Sequence, residues 1–125
     1  MACVDGFTVS EVSGLRSPVV IMAFTGWSDT GTVTTDVASH LIEAFDAERF
    51  LTVDPEDYYV FTDTRPHVRI DEDGVRALDW PDNEGFTARL PDNDRDLVIV
   101  RGVEPNLRWR TFSERLSDVV ATFEP

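Results

Sequence analysis

The stretch Val19-Val20-Ile21-Met22-Ala23-Phe24, continuing into Thr25-Gly26-Trp27-Ser28-Asp29, decides the fold. Six apolar residues without polar alternation predict a strand buried on both faces. Gly26 permits a tight turn, Trp27 packs over it, and Ser28 or Asp29 caps the next helix by accepting backbone N–H bonds. That helix is predicted to run to about Asp46. Val33, Val37, Leu41 and Phe45 recur at four-residue steps, with Ala38 and Ile42 beside them, as one apolar stripe. Phe50-Leu51-Thr52-Val53 reads as a second strand. Strand, helix and strand in this length predict a βαβ unit with parallel strands and a right-handed crossover.

The middle of the chain has a different pattern. Val68 to Ile70 and Val75 to Leu78 flank Asp73-Gly74, a hairpin signal, so an excursion is expected over about 68–80. Phe86 to Leu90 predicts a short strand. Leu97-Val98-Ile99-Val100 predicts another buried strand, and Gly102 to Asn106 a second strand-to-helix turn. A last helix carries Trp109, Phe112, Leu116, Val119, Val120 and Phe123 on one face.

Composition sets the outer limits. A chain of 125 residues, 42% of them hydrophobic, suits one α/β domain with one core. A bilayer span needs about 20 apolar residues, so no membrane helix is expected. The first residues, Met1-Ala2-Cys3-Val4-Asp5, lack the basic and apolar regions of a signal peptide, and the cytoplasm is the expected location. Cys3 is the only cysteine, which excludes an internal disulfide or a thiolate metal cluster. The net charge of −13 disfavours general nucleic-acid binding and reads as a solubility or high-salt trait. All 11 basic residues are arginine, consistent with a GC-rich coding bias. The lack of lysine excludes Schiff-base chemistry and a phosphate-gripping lysine.

In open parallel sheets, ligands bind beyond the carboxyl ends of the strands. Three segments are expected to meet there: Thr25 to Asp29, Asp54-Pro55-Glu56-Asp57-Tyr58-Tyr59, and Gly102-Val103-Glu104-Pro105-Asn106. The candidate binding residues are Gly26, Trp27, Asp29, Asp54, Glu56, Tyr58, Glu104, Asn106 and Arg108. A phosphate site at the first turn is disfavoured. Gly26 and Gly31 match neither the dinucleotide fingerprint nor the P-loop, and Asp29 puts a negative charge where the phosphate would sit. Asp54, Glu56 and Asp57 fit solvated loop acids better than a metal or acid–base site. Glu104 is expected to pair with Arg108 or Arg110. His40 and His67 lack helical or cysteine partners, so neither a metal site nor a cofactor is expected. There is no nucleophile elbow, and no catalytic residue is assigned.

Four segments, Phe24-Thr25-Gly26-Trp27-Ser28-Asp29-Thr30-Gly31, Asp54-Pro55-Glu56-Asp57-Tyr58-Tyr59, Thr64-Arg65-Pro66 and Gly102-Val103-Glu104-Pro105-Asn106-Leu107-Arg108-Trp109, carry a family likeness. In this order the chain resembles the bacterial, actinobacterial-type branch of the proteasome assembly chaperone 2 family, over about residues 7–123. The resemblance implies a three-layer α/β/α sandwich with a mostly parallel, phosphorylase/hydrolase-like sheet. It implies no established catalytic residues. Two departures stand out. Val60 occupies a place before Phe61 where the family pattern has an acidic residue, and Phe123-Glu124-Pro125 is not the tail of proteasome-docking relatives. Family members also continue further, so the chain is expected to hold only the N-terminal half of the domain.

Two functions are therefore expected to compete. The leading one is a non-catalytic protein-binding domain, with proteasome subunits or further copies of itself as partners and no nucleic acid or membrane. The other is a small-ligand binder or enzyme that uses the crevice for a nucleoside or a carboxylate, an analogy at the level of the fold.

Overall fold

Leu97–Val100 are all buried, and the fold is arranged around the strand that contains them. The structure, a computed structural model, describes residues 2–26 and 32–123. Its strands are β1 (Ala2–Val4), β2 (Phe7–Val9), β3 (Val19–Thr25), β4 (Glu48–Val53), β5 (His67–Ile70), β6 (Arg76–Asp79), β7 (Asn83–Ala88) and β8 (Leu97–Val103). The helices are α1 (Val33–Ala44) and α2 (Trp109–Ala121).

Six strands form one sheet in the order β1-β2-β4-β7-β8-β3, and β5 pairs with β6 separately. Among the described residues only β3 and β8 are parallel neighbours, with Val19 opposite Leu97 and Thr25 opposite Val103. The other neighbours in the large sheet are antiparallel. The expected mostly parallel sheet is thus replaced by a mostly antiparallel mixed sheet, in an α/β fold with two helices. The physical reason lies in the middle segment. β7 returns to the sheet and inserts between β4 and β8, so every neighbour it makes is antiparallel. The expected βαβ unit survives in direction only. β3 and β4 point the same way, but β8 and β7 lie between them.

Alternate residues of β8 feed two apolar clusters, as the strand period of two requires. Leu97 and Ile99 pack with Ala23, Ala38 and Ala88, against which α1 lies. Val98 and Val100 join Phe7, Leu51, Tyr58, Phe112 and Leu116, against which α2 lies. Phe7, Tyr58 and Phe112 meet edge to face at 5.6–6.0 Å between ring centres. Such aromatic pairs add about 1 kcal/mol each beyond their burial.

Three expectations about burial are corrected. β3 is an edge strand, so Met22 is 40% exposed instead of enclosed on both faces. Of the expected apolar stripe, Val33, Val37 and Phe45 are exposed, whereas Ala38 is buried, Leu41 and Ile42 pack against its cluster, and Thr35 is buried as well. Steps of four residues drift around a helix of 3.6 residues per turn, and the small side chains of Ala23, Ala38 and Ala88 set the line of closest approach. On α2, Phe112, Leu116 and Val119 are buried as expected, but Trp109 is exposed.

The hairpin at 68–80 forms as β5 and β6, with Val68 opposite Leu78. Gly74 takes a positive φ of 77°, and Asp71 Oδ1 accepts hydrogen bonds from the N–H groups of Asp73 and Val75. At the other end of the sheet, the buried Asp96 accepts from the Arg16 backbone N–H at 2.8 Å, Arg16 Nη2 at 3.0 Å and the Leu90 N–H at 3.0 Å. This ties the segment before β3 to the segment before β8. Among the described residues, no helix is long and apolar enough to cross a membrane.

Candidate functional site

β3, β4 and β8 share one direction, so their carboxyl ends lie at one end of the sheet. Three turns meet there. At the first, Gly26 has φ 144°, and a Cβ on it would lie 2.3 Å from the Glu104 carboxyl carbon. The Glu104 N–H donates to the Thr25 carbonyl at 3.0 Å. The first and third turns are therefore in contact, and the positive φ at Gly26 favours glycine there. Trp27 and Asp29, the other two candidates on this turn, lie outside the described residues, as does the expected cap at Ser28 or Asp29.

The second turn is a 3-10 turn, Pro55–Asp57, closed by Asp54 Oδ1, which accepts from the Glu56 N–H at 3.0 Å. Asp54 and Glu56 are exposed. Tyr58 is fully buried between Phe7 and Phe112, and its hydroxyl donates to the Asp5 carbonyl. It serves as core beneath the turn. The Tyr58 carbonyl accepts from the N–H groups of Asn106 and Leu107 at 2.8 and 3.0 Å. Asn106 Oδ1 accepts from the Val60 N–H at 2.8 Å and from the Thr64 hydroxyl at 3.0 Å. Asn106 thus laces the third turn to the loop after the second. Arg108 pairs with Asp57 at 3.6 Å and Asp5 at 3.8 Å, and lies 5.7 Å from the Tyr58 ring centre. Its backbone is left-handed, with φ 56° at the start of α2.

A cleft of about 540 Å³ opens beside these turns, lined by Thr25, Thr62, Thr64, Arg65, His67 and Asp82 among others. Of the seven sequence candidates among the described residues, none lines it. Glu104 lines a separate groove of about 490 Å³ with Met22, Phe24 and Trp109. The loop from Thr62 to His67 supplies much of the cleft's wall, and Asn106 holds that loop through Thr64. Behind that wall, the buried Asn83 donates from Nδ2 to the Tyr59 hydroxyl and, at 3.2 Å, to the Val103 carbonyl. The Tyr59 hydroxyl in turn donates to the Val103 carbonyl. Burial raises the Tyr59 pKa well above its usual value, so the hydroxyl keeps the proton it donates. A Cβ on Gly102 would lie 1.9 Å from Asn83 Oδ1. One sequence signal pointed to this junction: a glycine inside an apolar strand marks a close approach by a neighbour.

Beside the cleft, the β5–β6 hairpin presents Val68, Ile70 and Leu78 on one face, each more than half exposed. Trp80 continues from β6 and packs edge-on against Phe61 at 5.2 Å. Arg69 and Asp79 pair at 3.1 Å. Among the described residues, no three His, Cys, Asp or Glu side chains converge to hold a metal ion.

Comparison with known proteins adds the following. A family model described as "PAC2 family" matches residues 23–125. The chain is similar to the crystal structure of a Mycobacterium tuberculosis proteasome-assembly chaperone homologue, with 40% identity and a TM-score of 0.73 over 82% of this chain and 44% of that one. It is similar to a PAC2 family protein from Streptomyces avermitilis, with 39% identity and a TM-score of 0.75 over 85% of this chain and 45% of that one. A Corynebacterium glutamicum protein of unknown function is 28% identical, with a TM-score of 0.81 over 95% of this chain and 46% of that one. The chain therefore spans less than half the length of each. No curated protein matches it.

Proposed function

The chain belongs to the PAC2 family, and on that premise we propose that it is a non-catalytic protein-binding domain with a proteasome-related partner. One observation carries this reading: the β5–β6 hairpin stands off the large sheet with Val68, Ile70 and Leu78 exposed together. An isolated two-stranded hairpin is marginally stable in water, and a shared exposed apolar face marks an interaction surface. The similarity to a proteasome-assembly chaperone homologue supplies the partner class.

The test is capture of proteasome α subunits by the immobilised chain. The expected result is enrichment above an unrelated protein of equal negative charge, lost when Val68 and Ile70 are both changed to Asp. No enrichment over that control would refute the reading.

The 540 Å³ cleft supports a second reading, a small-ligand site. Its lining mixes hydroxyls, Arg65, His67 and Asp82, a donor and acceptor set suited to a nucleoside or a carboxylate. A thermal-shift screen with nucleosides, nucleotides and amino acids tests it. A stabilisation abolished by Arg65→Ala supports the ligand reading, and no shift with any of them refutes it.

A further inference from the structure

The lining of the 540 Å³ cleft sets acceptors and donors side by side on a fixed frame. The N–H groups of Asp63 and Thr64 donate to the Val60 carbonyl at 2.9 and 2.8 Å, and the Thr64 hydroxyl is held by Asn106. The chain leaving β6 passes through Trp80 and Pro81 to Asp82, whose carbonyl accepts from the Val103 N–H at 3.2 Å. Trp80 is 50% exposed and meets Phe61 at an interplanar angle of 74°. Backbone hydrogen bonds and a ring contact thus set both segments before any ligand arrives, which lowers the ordering cost of binding.

The charges of this lining decide what fits. Asp79 is matched by Arg69 at 3.1 Å. Among the described residues, the carboxylates of Asp63 and Asp82 accept no hydrogen bond. Partial desolvation, and then the charge of Glu84, raise the Asp82 pKa, so its carboxylate gains from donors that a ligand brings. Arg65 donates through Nε to the Thr62 carbonyl at 3.4 Å, and its terminal nitrogens stay available. Two unmatched carboxylates against one guanidinium leave the lining net negative in a chain of net charge −13, so an anion is repelled. A cation is opposed by Arg65. A hydroxyl both donates and accepts, and so satisfies carboxylate and guanidinium alike. The Trp80 ring adds a flat apolar surface.

On the small-ligand reading of this cleft, we infer that its ligand is neutral and carries two hydroxyls on neighbouring carbons of a ring. Asp82 accepts from this diol, Arg65 donates to a ring oxygen substituent, and Trp80 lies against the ring's apolar face or an attached base. Of the two ligand classes named above, the carboxylate is thereby set aside. A free sugar and the ribose of a nucleoside both present such a diol.

The experiment titrates the 125-residue chain with four probes and follows the backbone amide NMR shifts of Arg65, His67 and Asp82. The probes are methyl glucoside, glucuronate, adenosine and dideoxyadenosine. Saturable binding of methyl glucoside identifies a free sugar. Glucuronate, the same ring with a carboxylate, is then at least about tenfold weaker through charge repulsion. Saturable binding of adenosine identifies a ribose. Dideoxyadenosine, which lacks the diol, is then at least about tenfold weaker, the loss expected for a hydrogen bond to a charged group. Asp82→Asn and Trp80→Ala, both at exposed positions, each weaken the bound probe by about tenfold. The circular dichroism of both variants stays unchanged, and Asp118→Asn on α2 leaves binding intact. Equal affinity within whichever pair binds, or binding of glucuronate alone, overturns the inference while the ligand reading stands. So does binding that survives both Asp82→Asn and Trp80→Ala. Failure of all four probes overturns the inference and the ligand reading together.

Discussion

Replacing Gly102 by alanine tests how the buried junction behind the cleft wall is packed. The backbone there is ordinary strand, so φ does not demand glycine. Without neighbours, alanine would stabilise the strand by about 0.5–1 kcal/mol. The structure predicts the opposite sign. The new methyl would lie 1.9 Å from Asn83 Oδ1, 2.4 Å from Asn83 Cγ and 2.6 Å from the Asp82 carbonyl oxygen. Forcing a group into a filled interior costs about 1–3 kcal/mol. Displacing Asn83 also loses its hydrogen bonds to the Tyr59 hydroxyl and the Val103 carbonyl, about 1 kcal/mol each. The net expectation is a destabilisation of about 3 kcal/mol, a fall in Tm on the order of 10 °C for a domain of this size. The assay is urea denaturation of Gly102→Ala, Asn83→Ala and the double variant. Asn83→Ala removes the two closest colliding atoms, so Gly102→Ala is expected to cost at least about 1 kcal/mol less in that background, a coupling typical of touching residues. A neutral or stabilising Gly102→Ala, or an equal cost in both backgrounds, would refute the packing account.

Tyr59→Phe removes a hydroxyl that donates to the Val103 carbonyl and accepts from Asn83. It should cost about 1–3 kcal/mol in chemical denaturation, because two buried polar groups lose a partner. The Asp96 carboxyl is held well below its usual pKa by the Arg16 side chain and by the N–H groups of Arg16 and Leu90. A depressed folded-state pKa gives stability that is present above the unfolded value, about 3.9, and lost as pH falls below it. Asp96→Asn should therefore flatten the acid limb of a Tm-against-pH profile below about pH 4. An unchanged limb would remove Asp96 as its source. Arg108→Ala should cost about 1 kcal/mol, since its ion pairs are solvent-exposed and screened and its contact with Tyr58 is modest. Arg108→Gly should cost less in the same thermal melt, because glycine relieves the left-handed backbone at φ 56°.

The elements themselves were largely legible. Runs such as Leu97–Val100 and the Asp73-Gly74 turn announce a buried strand and a hairpin through local chemistry alone. Sheet order was not legible, because it depends on where β7 lands. Nothing in Asn83–Ala88 says that it will separate β4 from β8. The misjudged face of α1 has a related cause. Val33 and Val37 are more apolar than Thr35, yet the contact is set by how closely Ala38 can approach Ala23 and Ala88. At the crevice, strand direction located the meeting of the turns. The roles within it were hidden, because whether Tyr58 or Asn106 faces solvent or frame depends on partners far along the chain, Phe112 in one case and Thr64 in the other. The loop from Thr62 to His67 carries no periodic pattern, so only the fold reveals that it walls the cleft.

The single parallel pair has a consequence for how the chain acquires its structure. β3 is made early, but its partner is β8: Val19 waits for Leu97, and Thr25 for Val103. Joining distant segments requires closing a long loop before any contact rewards it. β7 and β8 are joined by the short segment Arg89–Asp96 and can pair first. Pulse-labelled hydrogen exchange during refolding should then show β7 and β8 protected before β3. In the interval, an uncharged seven-residue strand is left with both edges bare. Such exposed strand edges are what make folding intermediates prone to aggregate.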